Sequence, residues 1–508
     1  MNGMLTRSSS EPSPAPPVKS STNIGPEARP FPSWNRPGSE WVGYSPKPLR
    51  IFKSDGRSSR GHSPAVVIFL CLLTLLIIGL SVRVGIRAAD NRSAFRRWQP
   101  QLLALSEGVD LSARFNYPNP PIMAVLLEPL AYLPPVLASL VWFYLKAAMA
   151  ALAVYWTLKL VLPGQRLLRG YSVIAIILLA CKPILDDLSH GNVNILILFL
   201  VVGTLIAYSA RRDWLAGITL SLAIACKITP ALFLVYFAWR RSWKTLAGCA
   251  LGLAIFLWPG VLPSARLGWQ ENQQQLLSWH RVMVMPYLTE GKVTTEHLNQ
   301  SLPGLVARLA TRSPSFVAWQ GDHEVAMRYD NWLDLSRIEA ALIVKICMAF
   351  FLLLMMRLCS GTERPGSAQL VGEFALISLG MLLFSERTWK HHAVTLLLPM
   401  AFVVPLLTRN DLPRKSRQLL ITLLTLTMAL LIIPGLGGGK DRFEIGANPD
   451  LPKMFQVYGA YTGAFLLLLA STALGLFHLR RGKILVSIPG GKRPPAPRQG
   501  EMNLRPAA

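Results

Sequence analysis

Apolar residues gather into long runs along most of this chain, and polar residues fall between the runs. A helix needs about 20 apolar residues to cross a bilayer. The pattern therefore predicts an all-α polytopic membrane protein with about twelve transmembrane helices, two of which, 214–226 and 229–239, form a broken or re-entrant hairpin. The runs lie near residues 65–82, 136–160, 170–185, 192–209, 214–226, 229–239, 244–262, 337–357, 368–384, 391–407, 417–434 and 456–477.

The polar parts divide into two tails and three long loops. Residues 1–64 are rich in Pro, Ser and Arg and lack aliphatic clusters, so we expect a disordered cytoplasmic tail. Residues 65–479 form the transmembrane domain, and 480–508 form a basic cytoplasmic tail. A piece at Pro121 to Leu133 is bracketed by prolines and too short to span, so it predicts an interfacial or re-entrant helix. The loops expected outside the cytoplasm are 83–120, 263–336 and 435–455.

Charge supports this orientation. The 508 residues carry a net charge of +25, although only 16% are charged. Lys and Arg cluster beside the ends of the apolar runs, as at Arg211 and Arg212, and every predicted inside loop is basic, which is the positive-inside pattern. This placement argues against nucleic-acid binding. The six cysteines show no CxxC spacing, so we expect neither a disulfide framework nor a metal knuckle.

Two charged residues stand at the edges of apolar runs. Asp90 follows the first run, where a carboxylate serves as a loop or capping residue or as part of a site. Lys227 lies between two apolar runs, in Cys226-Lys-Ile-Thr-Pro230. A cation is costly at that depth unless it meets an anion, and the alternative is snorkelling to the interface.

Asp186, Asp187 and His190 fall on a predicted outside turn, just before Gly191-Asn-Val-Asn194. Asp and His together are ligands for a divalent cation, but helix capping explains the same residues. We therefore expect no cofactor, with a cation at these three side chains as the minor alternative.

Two further segments carry groups suited to phosphates and sugars. Glu386-Arg-Thr-Trp-Lys-His-His392 combines two cations, two histidines and an indole, which suits charge-assisted bonds to a phosphate or an interfacial anchor. The segment Asn299-Gln-Ser301 offers amides and a hydroxyl to sugar hydroxyls, or is an ordinary polar loop.

These motifs together resemble glycosyltransferase family 87, polytopic membrane enzymes of the GT-C superfamily that take mannose from a polyprenyl phosphate. The resemblance extends from roughly Asp90 to residue 407. Two departures are Gly-Asn-Val-Asn, where the family commonly has Gly-Gln-x-Asn, and Ser-Glu-Arg-Thr before Trp389. The markers are the Asp90 loop, Phe115-x-Tyr117-Pro-x-Pro120, Gly191-Asn-x-Asn194, Lys227-Ile-Thr-Pro230, Asn299-Gln-Ser301 and Thr388-Trp-x-His-His392.

The resemblance implies a GT-C-type bundle and an inverting hexosyltransferase, most simply a mannosyltransferase, in the plasma or inner membrane with its site facing the periplasm or exterior. It implies that Asp90 is the general base. The implied partners are a polyprenyl-phosphate sugar donor, a lipid or glycan acceptor and the bilayer, without nucleic acid. A transporter or flippase for a lipid-linked glycan is the alternative. The expected donor-phosphate ligands are Lys227, His391 and His392, then Arg387 and Lys390. The expected sugar or acceptor ligands are Tyr117, Asn192, Asn194, Asn299, Gln300, Ser301 and Trp389.

Overall fold

The protein is a helical bundle with one small β-hairpin. In this computed structural model the residues described are 64–163, 170–320, 323–360, 366–435 and 449–480. The two predicted tails lie outside the described residues, apart from Pro64 and Arg480, and so does most of the predicted loop 435–455.

The first ten α-helices occupy the chain up to residue 256. Prolines open α4 and α5, since a first helical turn does not need the missing N–H. The bounds are α1 Pro64–Ala89, α2 Ala94–Ser106, α3 Leu111–Phe115, α4 Pro121–Ala131, α5 Pro135–Val161, α6 Tyr171–His190, α7 Asn194–Ser209, α8 Asp213–Cys226, α9 Leu232–Trp239 and α10 Trp243–Phe256.

The second ten helices follow, with shorter turns between them. Short segments of 3₁₀ or π geometry lie at Thr229–Ala231, His280–Val284, Lys390–Leu396 and Ile433–Gly435. The α-helix bounds are α11 Val261–Leu267, α12 Trp269–Trp279, α13 Met285–Glu290, α14 Leu302–Ala310, α15 Arg337–Leu358, α16 Ser367–Leu383, α17 Leu397–Leu407, α18 Arg414–Ile432, α19 Leu451–Val457 and α20 Ala460–Arg480.

Every predicted apolar run is helical, but not every helix is long and apolar enough to span. Within the described residues seven segments meet that requirement, so a polytopic membrane protein is supported and the number twelve is not. The other predicted crossings are α7, α8, α9 and α16, which are shorter, and α6, which carries Lys182, Asp186 and Asp187. The seven are Cys71–Ala89, Pro135–Val161, Trp243–Leu267, Arg337–Leu358, Lys390–Leu407, Arg414–Gly435 and Ala460–Arg480.

The described residues are mostly helical, in agreement with the predicted all-α class. The segment 263–336, predicted as an outside loop, contains the end of α11, three further α-helices and an antiparallel hairpin of β1 (Pro314–Gln320) and β2 (His323–Tyr329). Phe316 of β1 is buried against Val457 of α19. The hairpin therefore packs on the bundle by its apolar side.

Helices α16 and α17 form the centre of the bundle. Nearly all of their residues are buried, whereas α1, α15 and α18 expose most of their apolar side chains. An exposed apolar face is expected where a helix meets lipid. The central pair thus supports the polar segment 384–396 that joins its two helices.

Helices α8 and α10 touch backbone to backbone. A Cβ added at Gly217 would lie 2.2 Å from the Thr245 carbonyl oxygen, and one at Gly248 would lie 2.6 Å from the Trp214 carbonyl oxygen. Gly248 and Gly252 form a GxxxG pair, which lets membrane helices approach closely. This contact fixes the end of α8, where Lys227 follows.

Candidate active site

Three interruptions between helices lie close together in the bundle. Gly191 ends α6 in the left-handed conformation with a φ of 81°, and α7 begins three residues later. Lys227 follows α8 in extended backbone before Pro230 restarts the helix. The segment between α16 and α17 supplies Thr388 and the two histidines. Broken helices at membrane depth are typical of substrate sites, because they free polar groups to face a cavity.

A buried ion pair anchors this region. Lys146 in the middle of α5 lies 2.9 Å from the Asp187 carboxylate, and neither side chain is exposed. The other oxygen of Asp187 accepts from the Asn194 amide at 2.9 Å, and the Ile195 N–H lies 3.4 Å from the carboxylate. Each carboxylate oxygen thus has partners within the protein. Asp187 therefore holds the start of α7 in place.

The side-chain amide of Asn194 connects Asp187 to Lys227 by hydrogen bonds. The Lys227 ammonium donates to Asn194 Oδ1 at 2.9 Å. Among the described residues no carboxylate lies within ion-pair distance of Lys227. The nearby carboxylate, Asp187, is paired with Lys146 instead. Burial lowers the pKa of Lys227 to about 8, although the nearby Asp187 charge opposes the shift. Lys227 is a half-buried cation without a carboxylate of its own among the described residues.

Lys227 lines a small, partly open cavity, here called the Lys227 cavity. Its polar lining comes from the predicted motifs, and its floor is Met381 and Leu382 of α16. The hydroxyl of Thr395 also lines it and is buried without a hydrogen-bond partner among the described residues. The remaining polar lining residues are Asn194, Thr229, Ser385, Thr388 and His392.

His391 lies behind the cavity, in a ring stack. Its imidazole is 4.3 Å from that of His190 at an angle of 14°, and its Nε2 is 2.8 Å from Asn192 Nδ2. The Asn192 oxygen already accepts from the Val193 N–H at 2.8 Å, so its NH₂ group faces the ring. His391 therefore accepts at Nε2 and is neutral, with its proton on Nδ1.

Of the two predicted histidines, only His392 lines the cavity. The Trp389 N–H lies 3.3 Å from His392 Nδ1, which leaves Nε2 to carry the proton. The neighbouring Trp389 indole has its Nε1 buried without an acceptor among the described residues. The structure thus places the His392 ring in the same cavity lining as Lys227, while Trp389 and His391 do not line that cavity.

Asp90 stands in the loop between α1 and α2. Asn91 adopts a left-handed φ of 56°, and Ser93 caps α2 by accepting from the Arg96 N–H. This turn lies against the end of α6, since a Cβ at Gly191 would be 3.7 Å from the Ala94 Cβ. The Asp90 side chain is exposed. Its carboxylate makes no hydrogen bond or ion pair with described residues.

The segment Asn299-Gln-Ser301 has a different role from the predicted sugar contacts. Asn299 donates to the Thr294 and Glu386 carbonyls and accepts from the Thr388 and Ser301 N–H groups. Ser301 caps α14. All three residues of the segment are fully buried. They position the segment around Thr388 and do not face the cavity.

Gln300 and Arg308 tie the same loop to the last helices. Gln300 bonds the His297 and Gln456 carbonyls and the Tyr461 N–H. Arg308 is fully buried and donates to five backbone carbonyls, and its burial lowers its pKa to about 9. Buried hydrogen bonds from Gln300 and Arg308 therefore hold the loop in place.

The remaining predicted ligands lie away from the Lys227 cavity. Tyr117 is buried, which raises the pKa of its phenol. Arg387 is exposed, where it bonds Thr294 and lies 3.6 Å from Glu386. Lys390 lines a second cavity. The predicted donor-phosphate ligands therefore do not all lie together in one cluster.

The minor metal alternative does not fit the geometry. Asp186, Asp187 and His190 lie on the last turns of α6 and not on a turn outside it. Asp186 pairs with Lys182, Asp187 pairs with Lys146 and His190 stacks on His391. Within the described residues no group of three His, Cys, Asp or Glu side chains converges.

Sequence reasoning missed two contributors. Lys146 lies inside an apolar run, where an ionisable residue signals a partner, yet the run alone does not identify Asp187 as that partner. Thr395 carried no signal, because a Thr within an apolar helix usually bonds its own backbone. Only the fold shows that its hydroxyl lacks a partner among the described residues and faces Lys227.

The fold and site define a polytopic membrane protein with a half-buried cation beside a small cavity. The chain belongs to glycosyltransferase family 87, whose model matches residues 117–385. The resemblance expected from the motifs is therefore confirmed. The match is shorter than predicted, because Asp90 and the two histidines lie outside it.

Curated relatives agree with this family. A polyprenol-phosphate-mannose-dependent alpha-(1-2)-phosphatidylinositol mannoside mannosyltransferase of Mycobacterium tuberculosis is 27% identical over 59% of this chain and 64% of its own length. A polyprenol-phosphate-mannose-dependent alpha-(1-2)-phosphatidylinositol pentamannoside mannosyltransferase of Mycolicibacterium smegmatis is 26% identical over 57% of this chain and 60% of its own length. The match thus spans less than two thirds of either relative. No solved structure matches the chain significantly.

Proposed function

We propose that this protein transfers mannose from a polyprenyl-phosphate donor to a lipid or glycan acceptor. The observation that carries the proposal is Lys227, a half-buried cation with no carboxylate of its own among the described residues, which lines a cavity where α8 ends. Burying an unpaired charge is costly, so such a cation is retained where a ligand supplies the anion. A phosphodiester is the anion that the named relatives' donor carries.

The chemistry needs a place for growing negative charge. When the C1–O bond to phosphate breaks, the leaving phosphate changes from one negative charge to nearly two. Lys227 stabilises that increase, and the His392 N–H donor and the Thr395 hydroxyl, which line the same cavity, supply hydrogen bonds to the same group. These donors are fixed before the reaction, so they do not have to reorganise during it.

Asp90 is our proposed general base. The acceptor hydroxyl attacks C1 from the face opposite the phosphate, its proton passes to the Asp90 carboxylate, and the sugar configuration inverts. Asp90 lies beside the end of α6, near the His190 and His391 stack, and its carboxylate has no partner among the described residues. A bound acceptor would cover this exposed group, which favours proton uptake.

We place the reaction at the membrane face away from the cytoplasm. The basic segments, such as the one before α18, then lie inside, in accord with the positive-inside pattern. A donor carried on a polyprenyl chain is available within the bilayer, so no nucleotide-sugar site is needed. This orientation corresponds to a plasma or inner membrane with a periplasmic or exterior site.

The test is mannosyl transfer by Asp90→Asn in purified protein with polyprenyl-phosphate-mannose. Removing a general base lowers the rate by about 10²–10⁴-fold, while donor binding stays unchanged because a carboxamide keeps the shape of the carboxylate it replaces. Glu107→Gln is the matched control, since Glu107 is an exposed carboxylate in the same outside region.

Equal turnover by wild type and Asp90→Asn would remove Asp90 from its role. If wild type binds the donor without transferring label, yet moves a lipid-linked glycan across vesicles, the flippase alternative replaces the enzyme.

A further inference from the structure

Two lysines lie near one buried carboxylate. Lys146 of α5 forms an ion pair with Asp187 at 2.9 Å, and its ammonium also donates to the Asp187 carbonyl oxygen. Lys227 lies within electrostatic reach of the same carboxylate, because the Asp187 charge opposes the loss of the Lys227 proton. Asn194 connects the two, with its amide on Asp187 and its oxygen on Lys227. One negative charge thus lies near two positive charges, and it contacts only one of them.

Asp187 holds the start of α7 without help from Lys146. Its carboxylate accepts from the Asn194 amide at 2.9 Å and lies 3.4 Å from the Ile195 N–H, in the first turn of that helix. These contacts require only the carboxylate oxygens. A buried ion pair adds little net stability, since replacing both partners by apolar residues is often neutral. The position of Lys146 is therefore not explained by the stability of the helix start.

The charge of Asp187 gives Lys146 another role. The carboxylate is fully buried, so water does not screen its charge. Without a compensating cation it would attract the Lys227 ammonium and repel an anion bound beside that ammonium. Lys146 reduces both effects, because its own charge lies 2.9 Å from the carboxylate.

We propose that Lys146 is a positioning residue for the donor phosphate, because it neutralises Asp187 and so keeps the charge of Lys227 available to an anion. This inference rests on the proposed function and extends it beyond the cavity lining. Lys146 does not line the Lys227 cavity, so it acts through Asp187 and Asn194 and does not touch the ligand.

The kinetic test removes one charge and then both. Lys146→Met leaves the carboxylate uncompensated and should raise the donor KM about tenfold, because the carboxylate then repels the donor phosphate. The double variant Lys146→Met, Asp187→Asn removes both charges and should return the donor KM to near the wild-type value. A purely structural role predicts the opposite order, since the double variant loses both members of the pair. The measurement is steady-state kinetics with polyprenyl-phosphate-mannose at pH 7.

Lys182→Met is the matched control for the loss of a lysine. Lys182 pairs with Asp186 at 2.7 Å, on the same helix as Asp187, but both side chains are about a third exposed. Water therefore screens the carboxylate that this variant leaves behind, and the donor KM should stay near the wild-type value. A tenfold rise in this control would overturn the inference, because any lost cation of the region would then weaken donor binding.

A labelling experiment tests the inference without sugar transfer. Acetic anhydride reacts with a neutral amine, so the pH dependence of Lys227 acetylation, read by mass spectrometry of the intact variants after digestion, reports the pKa of Lys227. That pKa is about 8 in the wild type. It should rise in Lys146→Met, because an uncompensated negative charge favours the ammonium, and it should fall back in the double variant.

Two other titratable groups lie within electrostatic reach of Lys227. They are His391 and His392 on the segment between α16 and α17. An imidazole ordinarily titrates near pH 6.5, so labelling from about pH 7.5 upward leaves their charge constant. If Lys146→Met does not fold, Asp187→Asn takes its place. It should lower the pKa of Lys227, and adding Lys146→Met to it should raise that pKa again.

The outcomes separate this inference from the proposed enzyme. An unchanged donor KM and an unchanged pKa of Lys227 in Lys146→Met would overturn the inference. A double variant as impaired as Lys146→Met would also overturn it and would leave the pair a support of the fold. A wild type that transfers no mannose, but whose Lys227 pKa shifts in both directions as expected, would overturn the proposed function and support the role of Lys146 in keeping Lys227 available to an anion.

Discussion

A single carboxamide sets the electrostatics of the site. Asn194 accepts from Lys227 through its oxygen and donates to Asp187 through its nitrogen. It thus keeps the ammonium oriented without neutralising it. A carboxylate at that position would neutralise the charge. The cation stays available for a ligand while its position is fixed.

The pKa of Lys227 predicts how donor binding depends on pH. Its ammonium binds phosphate only when protonated, and burial lowers its pKa to about 8. The donor phosphodiester stays singly charged throughout. The donor KM should therefore be constant below pH 8 and rise about tenfold per unit well above it. Steady-state kinetics from about pH 6.5 to 10 checks this.

Lys227→Arg is the matched variant, because a guanidinium stays charged over that whole range. Its donor KM should show no rise near pH 8, whatever its value at neutral pH. Identical profiles in wild type and Lys227→Arg would mean that another group titrates.

Residue types in the motifs indicated Lys227 and His392 as phosphate ligands and Asn194 as a sugar or acceptor ligand, and the structure brings all three into one cavity lining. The motifs did not show which predicted residues line the cavity and which bond within the protein. His391 and Asn299 have the same chemistry as cavity residues, but their atoms bond within the protein. The direction of a hydrogen bond depends on tertiary contacts, which no local pattern contains.

At the level of elements, the apolar runs predicted the positions of the helices well, because both the protein core and the lipid favour a continuous apolar surface. Helix ends were less predictable. Helix α6 continues through Asp186, Asp187 and His190, and the two Asp carboxylates form ion pairs with lysines. The hairpin of β1 and β2 was missed, since its short strands lie within a polar segment and gain their stability from packing on α19.

The close contact of α8 and α10 predicts a pattern of rescue. Gly252→Ala places a methyl group 1.9 Å from Ser221 Oγ, so it should destabilise the protein by about 1–3 kcal/mol. Ser221→Gly should restore part of that loss, because the clash is with a side chain. Thermal unfolding in detergent measures both.

Gly248→Ala should not be rescued by any neighbouring substitution, because its methyl group would meet the Trp214 backbone. Gly79→Ala is the control, since no atom lies within 4 Å of its added Cβ. A normal unfolding temperature for Gly252→Ala would contradict the packing.

For the whole molecule, the orientation can be tested by labelling. Glu290 is exposed at the end of α13, close to the loop that supports the site, and Asn410 is exposed between α17 and α18. We expect a membrane-impermeant maleimide to label Glu290→Cys from outside intact cells and Asn410→Cys only in inverted vesicles. The wild-type protein gives the background from its own cysteines. The reverse pattern would put the site in the cytoplasm.

The glycine contact between α8 and α10 also has a mechanical meaning. At Gly217 and Gly248 the two backbones touch with no side chain between them, which restricts relative movement of α8 and α10. Lys227 directly follows α8. We therefore expect Lys227 to stay in place during the proposed transfer, while the lipid phosphate moves to and from it.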